Sequence, residues 1–223
     1  MTSTPIEKRE SAADRAQTLL DWTRVNSTAL SVGAVVVLVA AGVYWFYSRS
    51  RQIQAENAEK ALMNAKQSMT AGNLPLAQND LQTVFSKYGS TPAGVEAAML
   101  LAQIDYDAGK FQDGLNVLQK AAGSSAATNA RSTILSLEGD GYAQMKQLPK
   151  AAKQYEDAAA AAATMQTEHA FLLAKAARTY GDAGDTAKAR QLWSSLANDP
   201  NTQAVASEAR VRIGELTAQP AKK

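Results

Sequence analysis

Cysteine is absent from this sequence, which excludes disulfides, thiolate metal sites, cysteine nucleophiles and a cysteine-linked lipid anchor. Histidine occurs once, at His169, so no imidazole cluster for a transition metal can form within the chain. Charge is nowhere massed: 23 Lys and Arg stand against 21 Asp and Glu, for a formal net charge of +2. Phosphate binding needs clustered cations, so nucleic acid is not an expected partner. There is no phosphate-cradling glycine loop, no HExxH and no GxSxG. Aromatic residues are sparse, at 6%, while alanine is abundant, a balance that suits helices packed closely through small side chains.

What is present begins with an apolar run, residues 28–47 (TALSVGAVVVLVAAGVYWFY), without a single charge. At 1.5 Å rise per residue it reaches about 30 Å, the thickness of a bilayer's hydrocarbon core. Tyr44, Trp45 and Tyr47 cluster at its far end, and Trp22 precedes its near end, where amphipathic rings favour the headgroup level. A soluble core helix would show a polar face, and this run has none beyond Thr28 and Ser31. A cleaved signal peptide is the rival reading, with Val39 and Ala41 as small residues before a cut at Gly42. Against it stand a long preceding region, with four acids and four bases, and the continuation of the run to Tyr47. An uncleaved transmembrane helix is the expectation.

The region before the run divides in two. Residues 1–10 are polar, with Pro5 breaking any early helix. Ser11 with Asp14 resembles a capping box, and Ala12, Ala16, Leu19, Leu20 and Val25 fall near one helical face. This pattern fits a short helix on a membrane surface, and equally an ordinary solvated helical extension.

After the run the chain repeats itself. Residues 68–85, 105–120, 141–158 and 179–196 align as a helical end, a turn and a second helix. Each second helix carries a small residue followed four later by a bulky one: Ala77 and Leu81, Gly114 and Leu118, Ala151 and Tyr155, Ala189 and Trp193. The small residues are 37, 37 and 38 apart. Turn glycines Gly72, Gly109 and Gly184 keep the register, and Lys146 takes the glycine's place in the third unit. A small residue on the second helix lets the first helix of its hairpin approach closely, and the bulky residue fills the gap beyond. One hairpin cannot bury its apolar face alone, so stacking into a solenoid is expected.

These residues resemble the tetratricopeptide repeat family, whose 34-residue unit is a helix hairpin. The third unit matches at Gly139, Tyr142, Ala151, Tyr155 and Ala158, and the fourth at Ala177, Tyr180, Ala189, Trp193 and Leu196, with Pro200 near the closing position. The second matches at Ala102, Gly114, Leu118 and Ala121, but Asp105 stands at the Tyr-like position with Tyr106 beside it. The first is the most degenerate, with Ala65, Ala77, Leu81 and a displaced Pro92. The longer period predicts longer loops between units. Residues 52–69 are expected as the first helix of the first unit, running directly out of the apolar run, since 49–65 holds no Gly or Pro. Residues 202–217, with apolar positions Val205, Val211, Ile213 and Leu216, predict a terminal capping helix before a frayed tail. The alanines at 158–163 are read as extending a closely packed helix.

The fold expected is therefore all-α: a tail at 1–27, a transmembrane helix at 28–47, a tetratricopeptide-repeat-like α-solenoid at 48–218 and a disordered end at 219–223. No chemistry is legible in it. His169 has no second ligand and no oriented partner, since adjacent Glu168 points to another side of its helix, and reads as a surface or capping residue. The acidic pairs Asp105/Asp107 and Asp182/Asp185 fall at turns between helices, where Asp satisfies backbone donors. No enzyme, metal or cofactor is expected.

The resemblance implies a surface for another protein. In this family first helices line the concave face where ligands lie, which carries across to Gln103, Tyr106 and Asp107 in the second unit, Ser136, Asp140 and Gln144 in the third, and Arg178 and Asp182 in the fourth. The whole layout is similar to the YfgM-like ancillary translocon proteins, most locally in TLLDWTRVN before the apolar run and in residues 42–47 at its exit. That resemblance implies a cytoplasmic tail, a periplasmic solenoid, and association with the Sec translocon and a membrane-anchored periplasmic chaperone of the prolyl-isomerase type. Basic residues leave orientation open, with four before the run and Arg49, Arg51, Lys60 and Lys66 after it. The function expected is a membrane-anchored adaptor tethering a chaperone near the translocon. A scaffold for another envelope complex is the alternative, and an enzyme using His169 a third reading.

Overall fold

The computed structural model describes residues 27–218, with residues 27–30 and 34 as helix backbone alone. The expected surface helix before the apolar run, Trp22 and the end at 219–223 lie outside the described residues. All the regular structure is helical: α1 (Ser27–Thr70), α2 (Leu74–Tyr88), α3 (Pro92–Asp107), α4 (Phe111–Ala122), α5 (Arg131–Gln144), α6 (Leu148–Ala161), α7 (Gln166–Asp182), α8 (Thr186–Asn198) and α9 (Gln203–Ala218). Two 3-10 turns, Ser125–Ala130 and Pro200–Thr202, complete it. The chain forms two compact units, Met1–Ile53 and Gln54–Lys223.

In the first unit α1 carries Val32, Val35, Val36, Val37, Leu38 and Val39 uncovered, with the ring cluster Tyr44, Trp45, Phe46 and Tyr47 also exposed. Among the described residues no protein surface buries this stretch. Among the described residues it belongs to the one helix long and apolar enough to cross a membrane. Arg51 lies over the Tyr47 ring at 4.6 Å, a cation on an aromatic face at the end of the run.

The second unit is four hairpins and a last helix. All eight residues of the small-and-bulky pairs are buried. A Cβ on Gly114 would lie 3.0 Å from the Ala102 carbonyl and 2.5 Å from the Tyr106 ring, so only glycine permits this approach of α3 to α4. Leu62, Ala65, Leu81, Val84, Ala97 and Leu101 form one core cluster across α1, α2 and α3. Tyr155, Ala174, Ala177, Trp193, Val205 and Ala209 carry another from α6 to α9. Helices pack with their neighbours in sequence, and first helices also touch first helices, α3 with α5 and α7 with α9. This is the nearest-neighbour pattern of a solenoid.

The hairpin turns share one geometry. Gly72, Gly109, Lys146 and Gly184 have φ of 75°, 75°, 61° and 87°. Each donates its N–H to the carbonyl three residues back, and the next N–H reaches five back, as in Gly109 to Tyr106 and Lys110 to Asp105. That closes orphan carbonyls at the helix end in a Schellman motif. Lys146 makes the same bonds, to Ala143 and, through Gln147, to Tyr142. The sequence alignment of lysine with glycine is thus an alignment of backbone conformation.

Some expectations need correction. Connections between units are short, at 89–91, 162–165 and 199–202; only 123–130 is long, and most of it is the 3-10 turn with Ala127 buried. In the last helix, Gln203–Ala218, Val211 is 59% exposed, against its reading as an apolar packing position, while Val205, Ala206 and Ala209 are buried. Asp105 is not a turn residue: it is buried in the last turn of α3 and accepts from Gln78 Nε2 at 2.9 Å. Asp185 does cap, accepting from the Lys188 backbone N–H at 2.9 Å.

Candidate partner-binding face

The first helices α3, α5 and α7 hold the eight residues assigned to a partner surface, and the structure divides them by what they already touch. Gln103, Asp107, Gln144 and Asp182 are exposed. Neither Asp107 nor Asp182 forms an ion pair among the described residues. Ser136 is half-buried.

The other three are tied into the fold. Asp140 of α5 accepts from Tyr155 Oη of α6 at 2.7 Å and from Lys175 Nζ of α7 at 2.6 Å. Lys175 also stands 4.4 Å from the centre of the Tyr155 ring. One carboxylate so joins three helices, and burial together with the bond to Asp140 pushes the Tyr155 phenol far up. Arg178 grips Glu208 of α9 with Nε at 2.7 Å and Nη2 at 2.6 Å, a two-pronged pair. Tyr106 is half-buried and donates its hydroxyl to the Leu137 carbonyl at 3.1 Å. A Cβ at Gly141 would lie 2.4 Å from that hydroxyl, so the ring is housed between Gly114 and Gly141.

Three cations of these first helices are already paired: Lys175 with Asp140, Arg178 with Glu208, and Lys66 with Glu96. Asp107 and Asp182 keep exposed carboxylates, beside the neutral Gln103 and Gln144. Sequence reasoning did not single out Glu138, a buried carboxyl that is 6% exposed in α5. Burial holds its carboxyl above the usual range, and the charge of Arg131 only partly offsets this. A signal existed, since at the repeat spacing Glu138 stands where the second and fourth units carry Leu101 and Ala176. Asp105, likewise raised by burial, is 5% exposed nearby in register.

His169 bonds through Nδ1 to the Ala159 carbonyl at 2.7 Å, closing the end of α6, a capping role. Glu168 turns elsewhere, accepting from Ser132 Oγ at 2.8 Å. Among the described residues no carboxylate bonds to the imidazole. Among the described residues no three His, Asp or Glu side chains stand close enough to hold a metal ion.

A family model described as a tetratricopeptide repeat-like domain matches residues 21–137 and again 59–176. No curated protein matches the chain. Among solved structures, a tetratricopeptide repeat protein from Parabacteroides merdae aligns with a TM-score of 0.56 at 17% identity, over 73% of this chain and 60% of that one. The nearly identical TPR-like repeats of a putative kinesin light chain from Podosopora anserina align with a TM-score of 0.54 at 15% identity, over 74% and 96%. BtubC from P. vanneervenii gives 0.54 at 14%, over 74% and 82%. At such identities the likeness concerns the fold.

Proposed function

The chain belongs to the tetratricopeptide repeat-like domain family, and from that premise we propose that it is a membrane-anchored adaptor, tethering a chaperone beside proteins that leave the Sec translocon. Tetratricopeptide-like repeats are a protein-interaction scaffold, and the coarse reading follows from the family. The finer reading rests on one observation above all: seventeen consecutive positions of α1, 31–47, carry no charge, and the side chains described there have no protein cover. In water such a surface is costly, at about 25 cal/mol per Å² of apolar area. In a bilayer the cost vanishes, and the helix fixes where the repeats act. Tethering needs no chemistry; it raises the local concentration of whatever the repeats bind. The translocon and the prolyl-isomerase-type chaperone enter from the resemblance in the sequence.

The binding surface in this reading is the first-helix face with Gln103, Asp107, Gln144 and Asp182. Tagged full-length protein, extracted in mild detergent, is expected to bring down translocon and chaperone components. Reversing Asp107 and Asp182 to lysine is expected to cut chaperone recovery about fivefold, roughly 1 kcal/mol, without moving the melting temperature, since both are exposed. A reporter at Lys223 should signal from the far side of the membrane. Recovery of neither component, or a cytoplasmic signal, sinks the translocon reading.

A further inference from the structure

The first helices share a direction. Helices adjacent in sequence double back on one another, so the first helices run parallel and start at one edge of the second unit. Side chains record this alignment. Ser132 and Glu168, both at helix starts, bond at 2.8 Å, and Asp140 and Lys175, both midway along, pair at 2.6 Å. The connections 89–91, 123–130 and 162–165 lie on that edge, and the hairpin turns lie on the opposite one. The chain enters the second unit by the same edge, at Gln54. Gln54 is seven residues beyond Tyr47, the end of the uncharged run. Even fully extended, that length spans at most about 25 Å. The bound uses chain length alone and holds for any angle between the two units.

The entry edge is chemically unlike its opposite. Residues 88–95, 121–130 and 158–167, which carry the three connections, include no charged residue. Lys87, Lys120 and Arg131 flank them, all exposed and in no ion pair among the described residues. Acids nearby are engaged: Glu96 with Lys66, Glu168 with Ser132, and Asp199 with the Asn201 N–H. Met165 is 45% exposed at the connection 162–165, and Phe171, 52% exposed, lines one open hollow with it. At the hairpin turns acids and bases instead alternate, as in Asp107, Lys110 and Asp113, or Asp182, Asp185 and Lys188.

We propose, resting on the reading of residues 31–47 as a membrane span, that this edge of the repeats lies on the lipid surface. Lys87, Lys120 and Arg131 then meet anionic headgroups, and Met165 and Phe171 enter the apolar boundary beneath them. Uncharged connections can approach a headgroup layer without an ion being stripped of water. The long basic side chains keep their charges in the aqueous layer while their stems lie against apolar neighbours. Held by the span, the edge meets headgroups at an effective concentration that a free protein lacks, so a few cations and two apolar side chains suffice. The opposite edge, with its acids, would be repelled by the same surface.

A chain without cysteine accepts single spin labels cleanly. Met165→Cys carries the probe, and Leu76→Cys, 46% exposed beside a hairpin turn, is the matched control. Each full-length protein is reconstituted into phosphatidylcholine vesicles containing phosphatidylglycerol, with a neutral nickel chelate on both sides of the bilayer. The ratio of oxygen collisions to chelate collisions, which rises on entry into lipid, is expected to be about threefold higher at Met165 than at Leu76. Lys87→Gln with Lys120→Gln, or omission of phosphatidylglycerol, should bring it down by about half. Equal ratios at the two edges, in protein that resists alkaline carbonate extraction, overturn the proposal and leave the membrane span standing. Release of the protein by carbonate removes the span and the proposal together. A ratio at Met165 that grows with protein density in the vesicles also overturns it, by assigning the edge to a second copy.

Discussion

Lys146 holds the backbone conformation that its three counterparts leave to glycine. For a residue with a Cβ, the left-handed region costs about 1–2 kcal/mol, partly offset because glycine gives the unfolded chain more freedom. Lys146→Gly is therefore expected to stabilise the fold by roughly 0.5–1 kcal/mol in chemical denaturation, and Gly109→Ala to destabilise it by about 1 kcal/mol. A destabilised Lys146→Gly variant would mean that the lysine side chain contributes something its exposed position does not reveal. The small-and-bulky pairs were legible in the sequence because each depends on one local spacing. Tyr106 was not. Its ring is placed by glycines at 114 and 141 on two other helices, and a sequence reading has no way to aim a side chain between helices whose approach is itself unknown.

At the scale of elements, the last helix is covered on one side only. α9 buries Val205, Ala206 and Ala209, packs Ile213 and Leu216 on the core cluster, and adds side-chain bonds, chiefly Arg178 to Glu208, and Arg190 to the Leu216 carbonyl at 2.8 Å. An ion pair this exposed is worth about 0.5–1 kcal/mol even when two-pronged. Arg178→Ala is expected to speed hydrogen exchange of the α9 amides about two- to fivefold while leaving α3 to α6 unaffected, because solenoid ends open first. Uniform acceleration across the repeats would contradict this division. The register carried Arg178 onto a partner surface. Its commitment to Glu208, thirty residues on, follows from how α7 and α9 pack.

The whole second unit balances two kinds of carboxyl group. The Arg178 guanidinium, by hydrogen bonding, holds Glu208 below the usual range. Burial pushes Glu156 up, but bonds from Lys188 and Tyr180 prevail and its carboxyl also ends low. Their stabilising contribution is present above the unfolded value, near 4.3, and is lost as pH falls through the folded one. Glu138 is opposite in sign: with a raised folded value, its contribution is present below about 4.3 and disappears as pH rises through the folded value. Glu138→Gln should accordingly raise the melting temperature at pH 7, with the gain shrinking to nothing at pH 4 and below. A gain independent of pH would show that charge burial is not the cause.

The helical class, the register of the four hairpins, the turn positions and the uncharged run at 28–47 were legible in the chain alone. Each of these rests on spacing along one chain, and spacing is what a helix converts directly into a face. Which surface groups are free depended instead on packing. Asp140 and Arg178 are polar helix residues indistinguishable in pattern from Asp107 and Asp182, yet the first two are held by Lys175, Tyr155 and Glu208 while the others face water. The same holds for α9. Its residues read as a cap, and the packing showed one side covered and the other open at Gly214, because burial is a property of neighbours that the chain places together only on folding.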